Sequence, residues 1–194
     1  MSHVFQPSPQ SKLDRLPIEQ AKAVRMVLTD VDGVLTTSQV IYDGAGTRFR
    51  AFSTRDGAAV QWLEQVGIPV GFISALDDVS TRKRGTDLGI QELHLGSQDK
   101  LATFYAILRR VGINSDEVAY LGDDLVDLPI LLRAGFAACP SDAAPEVQEA
   151  CSLVLPQMGG EGVFRAAAEF ILKAQGKWDG IVARYRPSGA PSNE

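Results

Sequence analysis

The 194-residue chain contains only two cysteines, two histidines and no apolar run long enough to span a membrane. Cys139 and Cys151 lack paired-thiol spacing and a nearby histidine pattern, so we interpret them as reduced, packed thiols rather than a disulfide, a zinc site or a nucleophile. The two histidines indicate no function either, since His3 lies in the predicted tail and His94 within a strand-like run. The N-terminus lacks the basic flank and apolar core of a secretory signal, which predicts a cytoplasmic protein without a membrane partner.

Positive charge is also scarce, since 19 Lys and Arg face 24 Asp and Glu and leave a net charge of −5. No basic stripe is present to match a phosphate backbone, which argues against nucleic-acid binding. A small anion can still bind, because a few local cations outweigh a distant net charge. The length fits one domain, which we place at 21–180 between flexible tails at 1–20 and 181–194.

Strand-like and helix-like segments alternate with short loops, which predicts an α/β fold with a three-layer, Rossmann-like, mostly parallel sheet. A glycine turn between two β-rich runs predicts a hairpin at about 39–52, and no insertion is large enough for a separate cap domain. Asp56 is a candidate N-cap for the first long helix. The strands after the first are expected at 68–74, 91–95, 117–121, 136–139 and 152–155, and the helices at 57–66, 77–88, 99–111, 127–134, 145–150 and 163–175.

Two carboxylates end the first strand, within the stretch from Met26 to Thr36. Because strand side chains alternate, Asp30 and Asp32 are expected on one side at the carboxyl end of the sheet, where open α/β sheets bind ligands. Two acids held together there repel each other unless a cation sits between them or one carries a proton. The alternative without a catalytic role is a polar strand end followed by a glycine turn.

Further polar residues follow other predicted strands and are expected to converge on the same edge. They are Ser74, Lys100 and Asp123 with Asp124 and Asp127. Carboxylates from separate segments favour Mg²⁺, which keeps positions for water or phosphate oxygens. A lysine and a hydroxyl beside such a site are typical of phosphoryl transfer, where anionic charge must be neutralised.

The order of these motifs resembles the haloacid dehalogenase superfamily of aspartyl-phosphate phosphatases, and within it most closely the 3-deoxy-D-manno-octulosonate 8-phosphate phosphatases. The resemblance spans about 25–179. It includes Asp-Val-Asp-Gly-Val-Leu-Thr at 30–36, the hairpin, Phe-x-x-Arg-Asp-Gly at 52–57, Asp-Lys at 99–100, Gly-Asp-Asp-Leu-x-Asp-Leu-Pro at 122–129, Gly-Gly-x-Gly at 159–162 and Ala-Gln-Gly-Lys-Trp-Asp at 174–179.

The resemblance implies a division of labour among the first three acids. Asp30 would be the nucleophile and a magnesium ligand, so that hydrolysis proceeds through an aspartyl phosphate. Asp32 would protonate the leaving sugar oxygen and then activate water, while its backbone carbonyl contacts the metal. Asp123 would complete the protein ligands.

The remaining motif residues would support this chemistry. Asp124 and Asp127 would orient the metal ligands, and Ser74 would donate to a phosphoryl oxygen. Lys100 would hold the nucleophile and the phosphate together by charge. Spacing alone would instead favour a solvated lysine at a helix start.

Two departures from the family pattern concern substrate recognition. Leu76 stands where the family commonly has an arginine, and Glu161 replaces the arginine of Gly-Gly-Arg-Gly. Leucine cannot replace a cation that binds a carboxylate or phosphate.

The retained Arg-Asp-Gly motif, Arg55 with Asp56 and Gly57, is therefore expected to bind substrate, together with Asp32, Arg84 and Lys100. Arg84 has an alternative reading as part of a solvated helix face.

The resemblance implies a Mg²⁺-dependent phosphatase of a phosphorylated acidic keto-sugar, the octulosonate 8-phosphate first and nonulosonate 9-phosphates or a broader set second. It also implies a homotetramer in which hairpins pack together and neighbouring subunits cover the sites. Two other readings stay open. A signalling receiver also phosphorylates an aspartate, and a catalytically weak descendant used for interaction would fit the two lost arginines.

Overall fold

The computed structural model describes residues 17–186, so most of both predicted tails, 1–16 and 187–194, lies outside the described residues. Within that range the chain forms eight strands and eight α-helices. The strands are β1 (Met26–Thr29), β2 (Ile41–Tyr42), β3 (Arg48–Phe49), β4 (Val70–Ser74), β5 (Glu92–Leu95), β6 (Val118–Leu121), β7 (Phe136–Cys139) and β8 (Leu153–Val154). The helices are α1 (Ile18–Ala23), α2 (Thr54–Gln65), α3 (Val79–Leu88), α4 (Lys100–Val111), α5 (Leu128–Leu131), α6 (Pro145–Ala150), α7 (Val163–Ala174) and α8 (Trp178–Ala183).

Six strands form one parallel sheet in the order β5-β4-β1-β6-β7-β8, which confirms the predicted fold class. The strand β1 lies in the middle, paired with β4 on one side and β6 on the other. Its side chains alternate between two buried clusters, with Val27 in one and Met26 and Leu28 in the other. The loop after β1 therefore leaves the centre of the sheet at its carboxyl edge, where parallel α/β sheets place their sites.

Helices cover both faces of the sheet through apolar stripes. In α7 six side chains are buried along one side, spaced as a helical face requires. On the opposite face α4 buries Phe104, Ile107 and Leu108. Asp99 caps the start of this helix, since its side chain accepts the Ala102 N–H at 2.9 Å, and Gly112 in the left-handed conformation caps its end.

The predicted hairpin is present but short, because β2 and β3 pair over only two residues each. Asp43 shapes its turn by accepting the backbone N–H groups of Ala45 and Thr47, both at 2.8 Å. The hairpin is separate from the main sheet. Its apolar side chains lie on the surface of the chain, namely Val40, Ile41, Tyr42 and Phe49.

The start of α2 differs from the sequence prediction. The helix begins at Thr54, and its cap is Ser53, whose hydroxyl accepts the Arg55 N–H at 3.2 Å. Asp56 is therefore not the cap, and its predicted role there was wrong. Its carboxylate instead lies in the first turn, buried, and accepts the backbone N–H of Arg165 at 2.8 Å.

Both predicted domain boundaries, at 20/21 and at 180/181, fall inside helices. At the N-terminal end α1 begins at Ile18, and the Gln175 amide donates to the carbonyls of Ala21 and Val24. At the other end α8 extends to Ala183, and the Tyr185 hydroxyl accepts the Trp62 indole N–H at 3.0 Å. None of the helices in the described range is both long and apolar enough to cross a membrane.

Candidate active site

The loop after β1 is held against β6 and requires a glycine. The Asp30 N–H donates to the carbonyl of Leu121 at 2.8 Å, so the residue continues the pairing of β1 with β6. Gly33 has φ +89°, a conformation that L side chains rarely adopt. An added Cβ there would lie 1.9 Å from Oδ2 of Asp123. The Asp-x-Asp-Gly pattern thus brings the loop into contact with the acids that follow β6.

A buried lysine lies between two carboxylates at the centre of the site. Lys100, the first residue of α4, places Nζ 2.9 Å from Oδ1 of Asp30 and 2.9 Å from Oδ1 of Asp127. All three side chains are at most 7% exposed. Charges in such a place need close partners, and here one cation meets two anions. The lysine therefore contacts the residue predicted as the nucleophile.

Asp127 has its oxygens occupied by protein donors. The Tyr120 hydroxyl donates to Oδ1 at 2.7 Å, and the Asp123 N–H donates to Oδ2 at 3.2 Å. With Lys100 on Oδ1 as well, this carboxylate is fixed from three directions. Sequence reasoning missed Tyr120, because a tyrosine inside a strand looks like core. The contacts support the expected orienting role of Asp127.

Asp123 presents an oxygen without a protein donor. Its Oδ1 is buried and has no hydrogen-bond partner within 17–186. Oxygens of Asp30, Asp123 and Asp127 lie within 4.8 Å of one another. The hard oxygens of these three carboxylates fit a magnesium ion.

Asp124 is exposed, and its side chain accepts the Leu125 N–H at 2.7 Å, which caps the short 3₁₀ turn before α5.

The pKa values of the ionisable groups in this cluster are shifted from their usual range. Burial and the Asp127 carboxylate raise the pKa of Asp30 to about 7, although Lys100 opposes the shift. Burial, Asp127 and Asp124 raise the pKa of Asp123 to about 7. Burial lowers the pKa of Lys100, but Asp30 and Asp127 outweigh it and raise that pKa on balance. A cation among the acids would relieve this repulsion.

Asp32 lies at a more open position and pairs with an arginine that sequence reasoning missed. Arg50, which directly follows β3, forms ion pairs with Asp32 and with Asp78. Its side chain is only 2% exposed, whereas that of Asp32 is 29% exposed. An arginine in a hairpin of exposed residues gave no signal of such burial.

Ser74 is buried at the end of β4, the strand next to β1. Its Oγ accepts the Leu76 N–H at 3.1 Å. The hydroxyl proton stays available for donation. This placement at the shared carboxyl edge supports the expected role of Ser74 towards a phosphoryl oxygen.

Three of the predicted substrate-binding residues, Arg84, Asp56 and Gly57, make contacts between elements of the fold. Arg84 is half-buried and donates to the carbonyl of Ser53 at 3.2 Å. An added Cβ on Gly57 would lie 2.2 Å from Nη2 of Arg84, so the glycine makes room for the arginine. Burial raises the pKa of Asp56 to about 6, against the pull of Arg165 and Arg84. These contacts connect α2, α3 and α7, and they favour a structural role for Arg84, Asp56 and Gly57.

Arg55 is exposed and lines two adjoining cavities of about 450 and 540 Å³. Both cavities are also lined by Glu161. The larger one reaches Thr37 in the loop after β1 and Gly160, whose N–H donates to the carbonyl of Val34 at 2.9 Å. The structure thus separates Arg55 from the buried acids but places it in a groove that leads from their loop.

The chain matches known proteins over most of its length. The family model described as haloacid dehalogenase-like hydrolase matches residues 86–166. The 3-deoxy-D-manno-octulosonate 8-phosphate phosphatase of Haemophilus influenzae is 37% identical over 82% of this chain and 88% of the relative. The chain belongs to this phosphatase family. Its members are phosphoric monoester hydrolases of the haloacid dehalogenase-like class.

Solved structures of the family share the fold. The Moraxella catarrhalis octulosonate 8-phosphate phosphatase, in complex with magnesium, phosphate and KDO, has a TM-score of 0.86 and 32% identity, covering 88% of this chain and 98% of the other. The cobalt-bound Haemophilus influenzae enzyme has a TM-score of 0.79 and 37% identity, covering 82% and 93%. The predicted family resemblance is confirmed.

Replacing Tyr120 by phenylalanine tests the support of Asp127. The change removes a buried donor to a carboxylate, so we expect the free energy of unfolding to fall by about 1–3 kcal/mol. Urea denaturation measures the loss. Tyr105→Phe is the matched control, because Tyr105 is 39% exposed, and it should stay within about 0.5 kcal/mol of wild type. Equal stability of the two variants would show that the hydroxyl contributes nothing to Asp127.

Proposed function

We propose that this chain is a Mg²⁺-dependent phosphatase of a phosphorylated acidic keto-sugar, with 3-deoxy-D-manno-octulosonate 8-phosphate as its first substrate. The main support for the proposal is the cluster of buried Asp30, Lys100 and Asp127 with half-buried Asp123 at the carboxyl end of the sheet. Family membership supports the reaction class, and the names of the relatives support the sugar.

Magnesium fits the residues present. We assign its protein ligands to the carboxylates of Asp30 and Asp123 and the backbone carbonyl of Asp32. The buried Oδ1 of Asp123 without a protein donor supports this assignment. Asp127 is the weaker ligand candidate, because protein donors already occupy both of its oxygens. When bound, the ion would neutralise phosphoryl oxygens and the crowded acids.

The reaction proceeds in two displacements. A carboxylate oxygen of Asp30 attacks phosphorus, the bond to the sugar oxygen breaks, and Asp32 gives its proton to that oxygen. Water then attacks the phosphorus of the aspartyl phosphate, and Asp32 takes a proton from it. Inorganic phosphate leaves and the Asp30 carboxylate is restored. Lys100 keeps Asp30 in place, and Ser74 donates to a phosphoryl oxygen.

The alternative functions make different demands on this site. A signalling receiver needs a phosphorylatable aspartate but no general acid for a leaving alcohol, whereas Asp32 lies two residues from the nucleophile. A catalytically weak descendant would explain Leu76 and Glu161, yet the four central residues are all in place. Nonulosonate 9-phosphates share the acidic keto-sugar chemistry, so phosphate release from a panel of sugar phosphates decides among the substrates.

We further propose a homotetramer built through the hairpins. The hairpin buries little of its own apolar surface, and an isolated hairpin is marginal in water.

A cytoplasmic location fits the two free cysteines, Cys139 and Cys151, and cell fractionation tests it.

The Asp30→Asn variant tests the nucleophile. We expect phosphate release to fall about a thousandfold or more, because the amide is no longer a nucleophile. The fold should persist, since the change removes one negative charge from a repulsive cluster. Removing magnesium with EDTA should abolish activity reversibly. Asp116→Asn, at an exposed position, serves as the control and should keep full activity. Wild-type turnover in Asp30→Asn would rule out the aspartyl-phosphate route.

The Arg55→Ala variant tests recognition of the sugar carboxylate. Losing a charge-assisted hydrogen bond costs about 1.5–3 kcal/mol, or roughly tenfold to a hundredfold in kcat/KM for the octulosonate phosphate. An aryl phosphate without a carboxylate should be spared. Arg109→Ala, on α4, is the control. Equal losses on both substrates would make Arg55 a structural or catalytic residue instead.

Light scattering at micromolar concentration tests the assembly. We expect the mass of four chains, because the hairpins need a surface to cover their exposed apolar residues. Tyr42→Ser, which removes an exposed ring from the hairpin, should weaken the assembly. Ser substitution at Leu132, an exposed leucine outside the hairpin, is the control. A monomeric wild type would contradict the proposed tetramer.

A further inference from the structure

Arg50 stands apart from the rest of the hairpin. The hairpin residues before it are mostly exposed, yet the Arg50 side chain is 2% exposed. Arg48, two residues earlier, is half-exposed and forms no ion pair within the part of the chain that the structure describes. The chain therefore turns one arginine of this segment inwards, towards the catalytic loop.

The buried guanidinium connects two carboxylates from different elements. One nitrogen pairs with Asp32 and another with Asp78. The third nitrogen, Nη2, is buried without a hydrogen-bond partner among residues 17–186, and Oδ2 of Asp78 meets the guanidinium through the ion pair alone, without a hydrogen bond. An unsatisfied buried donor costs free energy, so stability alone does not account for this placement. A planar guanidinium presents separate nitrogens to the two carboxylates in a fixed geometry, which a flexible lysine ammonium reproduces only in part.

Asp78 gives this connection a rigid end. Its other oxygen, Oδ1, accepts the Thr81 N–H at 2.9 Å and caps α3. Its side chain is only 6% exposed. The start of α3 therefore holds Asp78, Asp78 pairs with Arg50, and Arg50 pairs with Asp32.

The ion pair with Arg50 is a contact that can orient Asp32. Arg50 is its one cationic partner in the described range, since Lys100 is engaged with Asp30 and Asp127. A general acid must lie within hydrogen-bond reach of the leaving oxygen. The negative charge of Asp78 offsets the guanidinium, so Asp32 is oriented without gaining a net positive neighbour.

We propose that Arg50 is a positioning residue for Asp32, held in turn by Asp78 at the start of α3. This inference rests on the proposed function, because it concerns the general acid of that reaction. It gives Arg50, at the end of the hairpin, a role within one subunit that does not depend on any assembly.

Leaving groups separate positioning from a structural role. An alkyl phosphate needs a proton on its poor leaving group, whereas p-nitrophenyl phosphate does not, and kcat/KM reports the step that releases it. We expect Arg50→Met to lower kcat/KM for the alkyl phosphate about tenfold or more, and for the aryl phosphate by less than about threefold. Arg48→Met is the matched control and should leave both values unchanged.

A double-mutant cycle ties the effect to Asp32. Asp32→Asn should show the same leaving-group selectivity, and adding Arg50→Met to it should cost nothing further. Arg50→Lys should recover part of the loss. Asp78→Asn keeps the cap of α3 because asparagine also caps helices, and it should give a smaller loss of the same selectivity.

The outcomes distinguish this inference from the proposed function. Equal losses on both substrates for Arg50→Met, or losses that add to those of Asp32→Asn, would overturn the positioning role alone. A loss without selectivity in Asp32→Asn would overturn the general acid and this inference with it. If Arg50→Met does not fold, as circular dichroism would show, Arg50→Lys and Asp78→Asn decide: a selective loss supports the proposal and a uniform one contradicts it.

Discussion

The buried contact of Lys100 with Asp30 and Asp127 is the interaction on which the rest of the site depends. Three carboxylates meet at the end of β1 and β6, and without a cation their repulsion would oppose the fold itself. Lys100 compensates part of that charge from the first turn of α4. It leaves Asp123 with an unsatisfied oxygen, which is the feature a metal ion would complete. Stability and chemistry thus draw on the same charges.

The topology explains how these charges reach one place. Central β1 supplies the nucleophile, adjacent β6 leads into Asp123 and Asp127, and β4 on the other side ends at Ser74. Parallel strands deliver their carboxyl ends to the same edge, so residues far apart in sequence become neighbours. The core beneath fixes this edge, and Tyr120 links core and site through its hydroxyl on Asp127. A second layer of contacts, through Arg50 and Asp78, reaches Asp32 from the hairpin and α3.

The sequence was sufficient for the features with a local or periodic signature. The alternating elements predicted the parallel sheet, and acids directly after apolar strands predicted the central cluster. Partners set only by tertiary packing escaped prediction: Arg50 lies in a segment of exposed residues, and Tyr120 looks like any aromatic core residue. Asp56 has a side chain suited to a helix cap, but so does Ser53, three residues earlier, and Ser53 is the cap in the structure. The short helix α8 was missed because the packing of its first residue, Trp178, on Trp62 is a long-range contact.

The proposed mechanism requires that Asp30 carries the phosphoryl group during turnover. Its most direct test is to mix enzyme, magnesium and substrate, quench with acid within one turnover, and locate the modification by peptide mass spectrometry. We expect a phosphoryl group on Asp30, labile to hydroxylamine and absent when EDTA is added first. A phosphoryl group on another residue, or full turnover with no phosphorylated peptide at any quench time, would contradict it.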